Sequence, residues 1–219
     1  MIVCLENVLS PSHVKAFVKI LKSESLYESG DRTAGKAAKA AKQNLQAIAD
    51  KPEVSRIVAQ VREDLSKHTA FQSCAIPARI GRVMVSRYEP GMEYGTHFDD
   101  AFIAGVRTDI SFTLFLSEMD EYEGGELELV TSTGSQAIKL PPGCAVVYPS
   151  DHLHGVRPVT KGTRLAVVGW VQSRIRSTAE RQMLFELSEA TSQIEGDSAQ
   201  EGLLRLKYVR NNLLRMWAE

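Results

Sequence analysis

Residues 144–173 read CAVVYPSDHLHGVRPVTKGTRLAVVGWVQS, and this stretch decides the fold class. Two β-favouring runs, 144–149 and 164–173, sit on either side of a segment broken by the Thr160-Lys161-Gly162 turn. The same texture continues upstream. Extended runs are read near 80–88, 108–116, 125–130 and 135–140, with a shorter one around 94–99. Glu89-Pro90-Gly91, Glu123-Gly124-Gly125 and Pro141-Pro142-Gly143 punctuate them. Many short strands at this spacing predict a sandwich or jelly roll rather than a parallel sheet. Gly124-Gly125 reads as a turn and not as a phosphate loop, because no strand-loop-helix context follows it.

Outside this half the periodicity is helical. Ser10-Pro11 is a helix start, with Val14, Phe17, Val18 and Leu21 on one apolar face. Val54, Ile57, Val58, Val61 and Leu65 predict another helix. Between them, TAGKAAKAAKQNLQ follows a turn at Gly30-Asp31, and its Lys36, Lys39 and Lys42 are expected on a solvated helix face. The run 177–219 returns to helix. Its Leu203, Leu206, Val209, Leu213, Met216 and Trp217 are expected to dock on the body, with a homo-oligomer interface as the sharper alternative. The expectation is an α+β fold in one domain: a helical segment 1–75, a mainly β jelly-roll core 78–176 and a helical segment 177–219.

Composition sets the class. The 219 residues carry 26 Lys+Arg against 27 Asp+Glu, a formal net charge of −1, with 43% hydrophobic residues. These figures exclude disorder, a collagen-like repeat and a disulfide scaffold. They also exclude a bulk-electrostatic nucleic-acid binder. Cys4, Cys74 and Cys144 form no C-x-x-C pair and suit buried or half-buried positions in a reducing cytosol. The start has no basic region followed by a long apolar run, and the longest clean apolar stretches, such as Leu165 to Val171, are too short for a bilayer. A cytoplasmic protein without a membrane partner is expected.

The chemistry gathers in the strand-rich half. On an extended segment residues i and i+2 share a face, so His97 and Asp99 can approach one metal together. Downstream, His152 and His154 end a strand and Arg164 opens the next. Two histidines and one carboxylate on a β scaffold make the facial triad of a non-haem Fe(II) oxygenase. Three coordination positions stay open for a bidentate 2-oxo acid and dioxygen, and a nearby arginine fork suits the far carboxylate of that acid. Alternation alone does not choose between His152 and His154. Asp100 would face away from Asp99. Arg107 and Asp109 read either as substrate-orienting groups or as a structural ion pair. Trp170 shares the face of Arg164, as a wall of the cosubstrate pocket or as plain core. His13 and His68 read as surface positions.

The residues that connect these pieces are Arg87-Tyr88-Glu-Pro-Gly-Met-Glu-Tyr94-Gly-Thr-His97-Phe-Asp99, Arg107-Thr-Asp109-Ile-Ser111-Phe-Thr-Leu-Phe-Leu and Gly124-Gly125-Glu126-Leu. Tyr148-Pro-Ser, Leu153-His154, Pro158-Val-Thr160, Gly162-Thr-Arg164 and Trp170-Val-Gln-Ser173 follow, with Thr33-Ala-Gly35 and Asn212-Leu-Leu-Arg-Met-Trp217 nearer the ends. This set resembles the Fe(II)/2-oxoglutarate-dependent dioxygenases of the prolyl 4-hydroxylase superfamily, and more closely the bacterial PKHD-type hydroxylases. The resemblance spans nearly the full chain. It implies a double-stranded β-helix flanked by helices, with His97, Asp99 and His154 as iron ligands. Its Leu-His pattern selects His154 and leaves His152 at the rim. It further implies Arg164 on the distal carboxylate of 2-oxoglutarate, Tyr88 beside that cosubstrate, and ascorbate as a candidate reductant. The activity implied is hydroxylation of an unidentified peptide, protein or small-molecule substrate, with 2-oxoglutarate decarboxylated to succinate.

Three other functions compete. A non-catalytic jelly roll could sense a metal or small acid, although Arg164 and an open coordination face favour the enzyme. A nucleic-acid demethylase of the same chemistry calls for a basic, aromatic-lined groove, which the near-neutral charge and 7% aromatic content do not favour. A zinc hydrolase would leave Arg164 without a role.

Overall fold

The computed structural model describes residues 1–33, 41–131, 134–194 and 200–219. The N-terminal part holds β1 (Val3–Leu5), α1 (Pro11–Leu21), β2 (Tyr27–Ser29), β3 (Lys42–Gln43), β4 (Leu45–Ala47), α2 (Pro52–Lys67) and α3 (Thr69–Ala75). The strand-rich part runs through β5 (Pro77–Tyr88), β6 (Glu93–His97), β7 (Phe102–Ile103), β8 (Val106–Arg107), β9 (Ile110–Phe115), β10 (Tyr122–Gly124), β11 (Leu127–Thr131) and β12 (Gly134–Ile138). It closes with β13 (Ala145–Pro149), β14 (His154–Val156), β15 (Val159–Gly162) and β16 (Arg164–Ser173), before α4 (Thr178–Ser192) and α5 (Gln200–Trp217).

Two antiparallel sheets form the jelly roll. The larger has the order β1-β13-β9-β16-β5-β4-β2, and the smaller β12-β11-β14-β6-β3. Strand alternation divides the larger sheet into two faces. Val83, Val85, Phe112, Leu114, Val147, Leu165 and Val167 pack on the helices together with Val14, Phe17, Leu21, Val54, Ile57, Val61 and Leu65. Each such side chain contributes roughly 1.5–3 kcal/mol on burial. The opposite face turns to the smaller sheet, where Phe115, Val146 and Tyr148 join Leu127, Leu129 and Ile138. This face also carries the polar groups of the site.

The helices start as their sequences dictate. Ser10 Oγ accepts the His13 N–H at 3.2 Å, and Pro11 takes the first helical position of α1. His13 and His68 are not the idle surface residues expected from the sequence. His13 Nδ1 lies 2.9 Å from Asp64 Oδ2, while His68 Nδ1 accepts the Phe71 N–H and so caps α3. Cys4 is exposed, against expectation, with Cys74 buried and Cys144 half-buried; all three are free thiols.

The larger departure lies between residues 42 and 47. The expected solvated helix face places Lys42 in water, but Lys42 sits in β3 and is only 8% exposed. Lys36 and Lys39 lie outside the described residues. Lys42, Asn44 and Gln46 are buried in alternation, because β3 forms the edge of the smaller sheet on β6 while β4 pairs with β5 inside the larger one, between β5 and the edge strand β2. Sheet pairing there overrides the helical propensity of an Ala/Lys-rich sequence. At the other end, α5 packs on α4 through an Arg210 Nε to Ser188 Oγ bond of 2.8 Å. Leu203, Leu206, Leu213 and Trp217 are half-buried there, while Val209 and Met216 remain exposed. No described helix is long and apolar enough to cross a membrane.

Candidate active site

His97 ends β6 and His154 begins β14, and the two are registered partners across that antiparallel pair. Asp99 follows two residues after His97, beyond the strand end, with its N–H donated to Ser150 O at 3.2 Å. Backbone anchoring in a loop therefore places Asp99, rather than strand alternation. His97 Nε2 lies 4.0 Å from Asp99 Oδ1, and His154 Nε2 lies 3.7 Å from Asp99 Oδ2. Among the described residues these three form the one cluster whose ligand atoms all lie within 4.8 Å of one another.

The surroundings fix each group. His97 Nδ1 lies 2.9 Å from Gly95 O and His154 Nδ1 lies 2.9 Å from His152 O. A carbonyl can only accept, so Nδ1 carries the proton and the Nε2 lone pairs point to the shared space. Ser111 Oγ donates to Asp99 Oδ2 at 2.5 Å and lies 2.8 Å from Ser150 Oγ. Tyr94 stacks on His97 with centroids 3.7 Å apart, and Tyr148 meets His154 edge-on at 5.0 Å. Burial, then the neighbouring His154, pushes the His97 imidazole down to about 4, which keeps it neutral at physiological pH. A neutral nitrogen, not an imidazolium, is what a metal requires.

Arg164 opens β16 opposite Tyr88 and is 1% exposed. Its guanidinium carbon sits 5.2 Å from the Tyr88 ring and 5.5 Å from the Phe115 ring. Among the described residues none of its three nitrogens meets good hydrogen-bond geometry, and its polar neighbour is the buried Tyr122 hydroxyl, which leaves its positive charge without a counter-charge. An uncompensated buried cation is costly, so its persistence marks a place for an anion. Burial pushes the Tyr88 phenol up to about 12, so it can donate a hydrogen bond to that anion throughout the neutral range. Gly125 makes the close packing feasible, since a Cβ there would lie 3.0 Å from Arg164 Cδ. Its φ of +67° is also one that glycine adopts without strain.

One cavity of about 540 Å³ is lined by His97, Asp99, His154, Arg164 and Tyr88 together. A triad of two imidazoles and a carboxylate fits Fe(II), and the orphaned guanidinium fits the far carboxylate of a 2-oxo diacid. Comparison with known proteins bears on the same point. Residues 83–172 match the 2OG-Fe(II) oxygenase superfamily, and residues 179–219 match the PKHD-type hydroxylase C-terminal domain. A PKHD-type hydroxylase of Picosynechococcus is 42% identical over 98% of both chains. This chain belongs to the PKHD-type hydroxylases.

Other relatives agree. A PKHD-type hydroxylase of Idiomarina loihiensis is 40% identical over the whole of both chains. Among solved structures, a Pseudomonas putida prolyl-4-hydroxylase aligns with TM-score 0.54 and 20% identity, over 79% of this chain and 92% of its own. An oxidoreductase of the 2OG-Fe(II) oxygenase family from Burkholderia pseudomallei aligns at 0.58 and 19%, over 77% and 84%. At such identities these structures establish the shared jelly-roll fold.

The PKHD-type site also sorts the ambiguous residues. His152 lies in the turn before β14, with its Nδ1 3.2 Å from Asp151 Oδ1, and stands outside the cluster. Arg107 and Asp109 form a structural pair: Arg107 Nε donates to Asp109 Oδ1 at 2.8 Å, and Asp109 Oδ2 accepts the Ser173 N–H at 2.8 Å. Asp100 does line the cavity, at its exposed rim. Sequence reasoning gave no role to Ser111, Tyr94 or Lys42. The one signal for Ser111 was a pair of hydroxyls, Ser111 and Thr113, at alternate positions of an otherwise apolar strand.

Proposed function

We propose that this chain is an Fe(II)- and 2-oxoglutarate-dependent hydroxylase in which His97, Asp99 and His154 hold the metal. Arg164 takes the distal carboxylate of 2-oxoglutarate, with Tyr88 lining the same pocket. One observation carries the reading: a fully buried guanidinium without a counter-charge shares a cavity with the His97, Asp99 and His154 cluster. When bound, Fe(II) supplies the chemistry by which dioxygen is divided between 2-oxoglutarate, released as succinate and carbon dioxide, and a substrate C–H bond, which becomes a hydroxyl. The chain's own groups orient and exclude. Ser111 fixes the rotamer of Asp99, the two backbone carbonyls fix the imidazole tautomers, and Arg164 fixes the direction in which the cosubstrate enters.

The substrate on this reading is a peptide or a small molecule, and nucleic acid is disfavoured by the near-neutral charge. Ascorbate serves as reductant for uncoupled turnovers, and a reducing cytoplasm suits both Fe(II) and the free thiols. Self-association, where it occurs, is assigned to α5, whose Leu204, Tyr208 and Met216 are about 70% exposed; light scattering on the purified chain tests this.

Anaerobic titration with Fe(II) and 2-oxoglutarate tests the central claim. A visible charge-transfer band is expected only with both present, followed on aeration by succinate and, with a substrate, hydroxylated product. Absence of both band and succinate would overturn the reading. A band with no oxygen consumption under any condition would instead mark a non-catalytic sensor.

A further inference from the structure

The cavity is cationic at two ends, and the cosubstrate accounts for one. Along β16, Arg164, Val168 and Trp170 line it, and along β5 Tyr88, Ser86, Met84 and Arg82 line it in that order. Arg164 and Trp170 are six residues apart, or roughly 20 Å at the usual rise of a strand. A five-carbon diacid held by Arg164 does not reach that far.

Three groups define the second end. Trp170 Nε1 is buried and has no hydrogen-bond partner among the described residues. Arg82 stands beside it on the adjacent strand, near the register pair Val83–Gly169, with an exposed side chain. Lys42 projects from the smaller sheet, 8% exposed, with its Nζ 3.2 Å from Gln46 Oε1 and 5.4 Å from the Tyr94 ring centre. Burial, and then the charge of Arg82, lowers the Lys42 ammonium to about 8. Asp99 and Asp31 act on Lys42 in the opposite sense, and Asp100 lies at the rim. Arg82, Lys42 and the unpartnered Trp170 indole N–H thus line one cavity.

The mouth beside them is apolar. Phe98 and Phe102 are each 66% exposed and Leu153 is 44% exposed, and all three line this cavity. Phe102 is carried by the β7–β8 hairpin, whose tip residues Ala104 and Gly105 have positive φ. Large apolar side chains gathered at the rim of a polar site mark a surface that a ligand covers.

We propose that the substrate is a small amphiphilic acid. Its carboxylate is received by Lys42, Arg82 and the Trp170 N–H, and its apolar part lies along Phe98, Phe102 and Leu153 beside the triad. A cavity of about 540 Å³, part of it taken by 2-oxoglutarate, has the size of a small-molecule site. The inference rests on the function proposed above.

The test is calorimetric binding of 4-phenylbutanoate, its primary amide and 4-phenylbutylamine to the full chain under anaerobic conditions, with Fe(II) and saturating 2-oxoglutarate. The visible band is recorded in the same samples. The acid is expected to bind at least about tenfold more tightly than the amide, as charge-assisted bonds require. The amine should not bind, and the band should persist. Arg82→Gln and Trp170→Phe should each reduce the preference for the acid while the band from Fe(II) and 2-oxoglutarate stays unchanged. Equal binding of acid and amide, preference for the amine, or a preference that survives in the double variant would overturn the proposal. So would loss of the band on adding acid, which would place the acid at Arg164. An acetylated Glu-Phe dipeptide amide that binds more tightly than the free acid would assign the carboxylate to a peptide and overturn the small-molecule assignment. Failure of the two claims is separable: acid preference without any band refutes the enzyme reading alone, and a band without acid preference refutes this one alone.

Discussion

His97 and His154 face each other across the β6–β14 pair, with ring centroids 4.3 Å apart and planes tilted by 49°. Neither ring is free to turn, because each Nδ1 is tied to a carbonyl of its own strand or of the turn before it. The site is preorganised by backbone register, and the consequences below follow from that rigidity.

Lowering the pH should destabilise the metal-free protein through His97. Its folded-state value of about 4 lies below the ordinary 6.5, so the unfolded chain binds more protons between these limits. Stability from this group is full above about 6.5 and is lost as pH falls toward about 4, at roughly 1 kcal/mol per pH unit. Urea midpoints of chelator-treated protein across that window measure the slope. A His97→Gln variant should flatten it, and an unchanged slope would refute the assignment.

Ser111→Ala removes the hydroxyl that holds Asp99 Oδ2 without touching a ligand atom. Metal affinity should fall about 10–100-fold, the usual effect of losing such a support. Competition titration with Fe(II) or Co(II) reads it, with circular dichroism unchanged. Equal affinities would mean that Ser150 and the loop backbone suffice.

Arg164→Met should separate stability from function. It removes a buried guanidinium without a counter-charge among the described residues, so the ligand-free protein should become more stable by roughly 1–4 kcal/mol, less whatever its ring contacts contribute. Binding of 2-oxoglutarate should weaken by at least about 100-fold, as the charged hydrogen bonds to its far carboxylate are lost. Thermal melts and titration of the charge-transfer band decide both halves, and a destabilised variant would show that the ring contacts outweigh the cost of burial.

Gly125→Ala tests the packing beneath Arg164. The new Cβ would sit 2.9 Å from Val159 Cγ2 and 3.0 Å from Arg164 Cδ, at a φ of +67°. A loss of about 1–3 kcal/mol is expected from the backbone conformation alone. A parallel rise in the Kd of 2-oxoglutarate would follow from displacement of Arg164. A neutral outcome in both would show that β10 and β15 can part to admit a methyl group.

Much of the site was legible in the sequence because its residue types are chemically rare together. His97, Asp99, His154 and Arg164 stand among strands whose period-2 pattern is clear, so both jelly roll and triad could be expected before any coordinates. Strand alternation was nevertheless an incomplete guide: β6 stops at His97, and Asp99 is set by the Ser150 carbonyl. Lys42 shows the converse. A buried polar alternation of Lys42, Asn44 and Gln46 carries no hydrophobic signal, and local composition there favours helix.

The amino-acid sequence by itself determined the fold class, the family and the identity of the groups able to hold a metal and an anion. Those depend on residue type and local period, which a chain carries without folding. Tertiary structure alone decided that Ser111 holds Asp99, that the Ser150 carbonyl anchors the Asp99 backbone, and that Lys42 lines the cavity. Each of these depends on which strand edges pair and in what register, a long-range choice made by burial of the two sheets and invisible to local spacing.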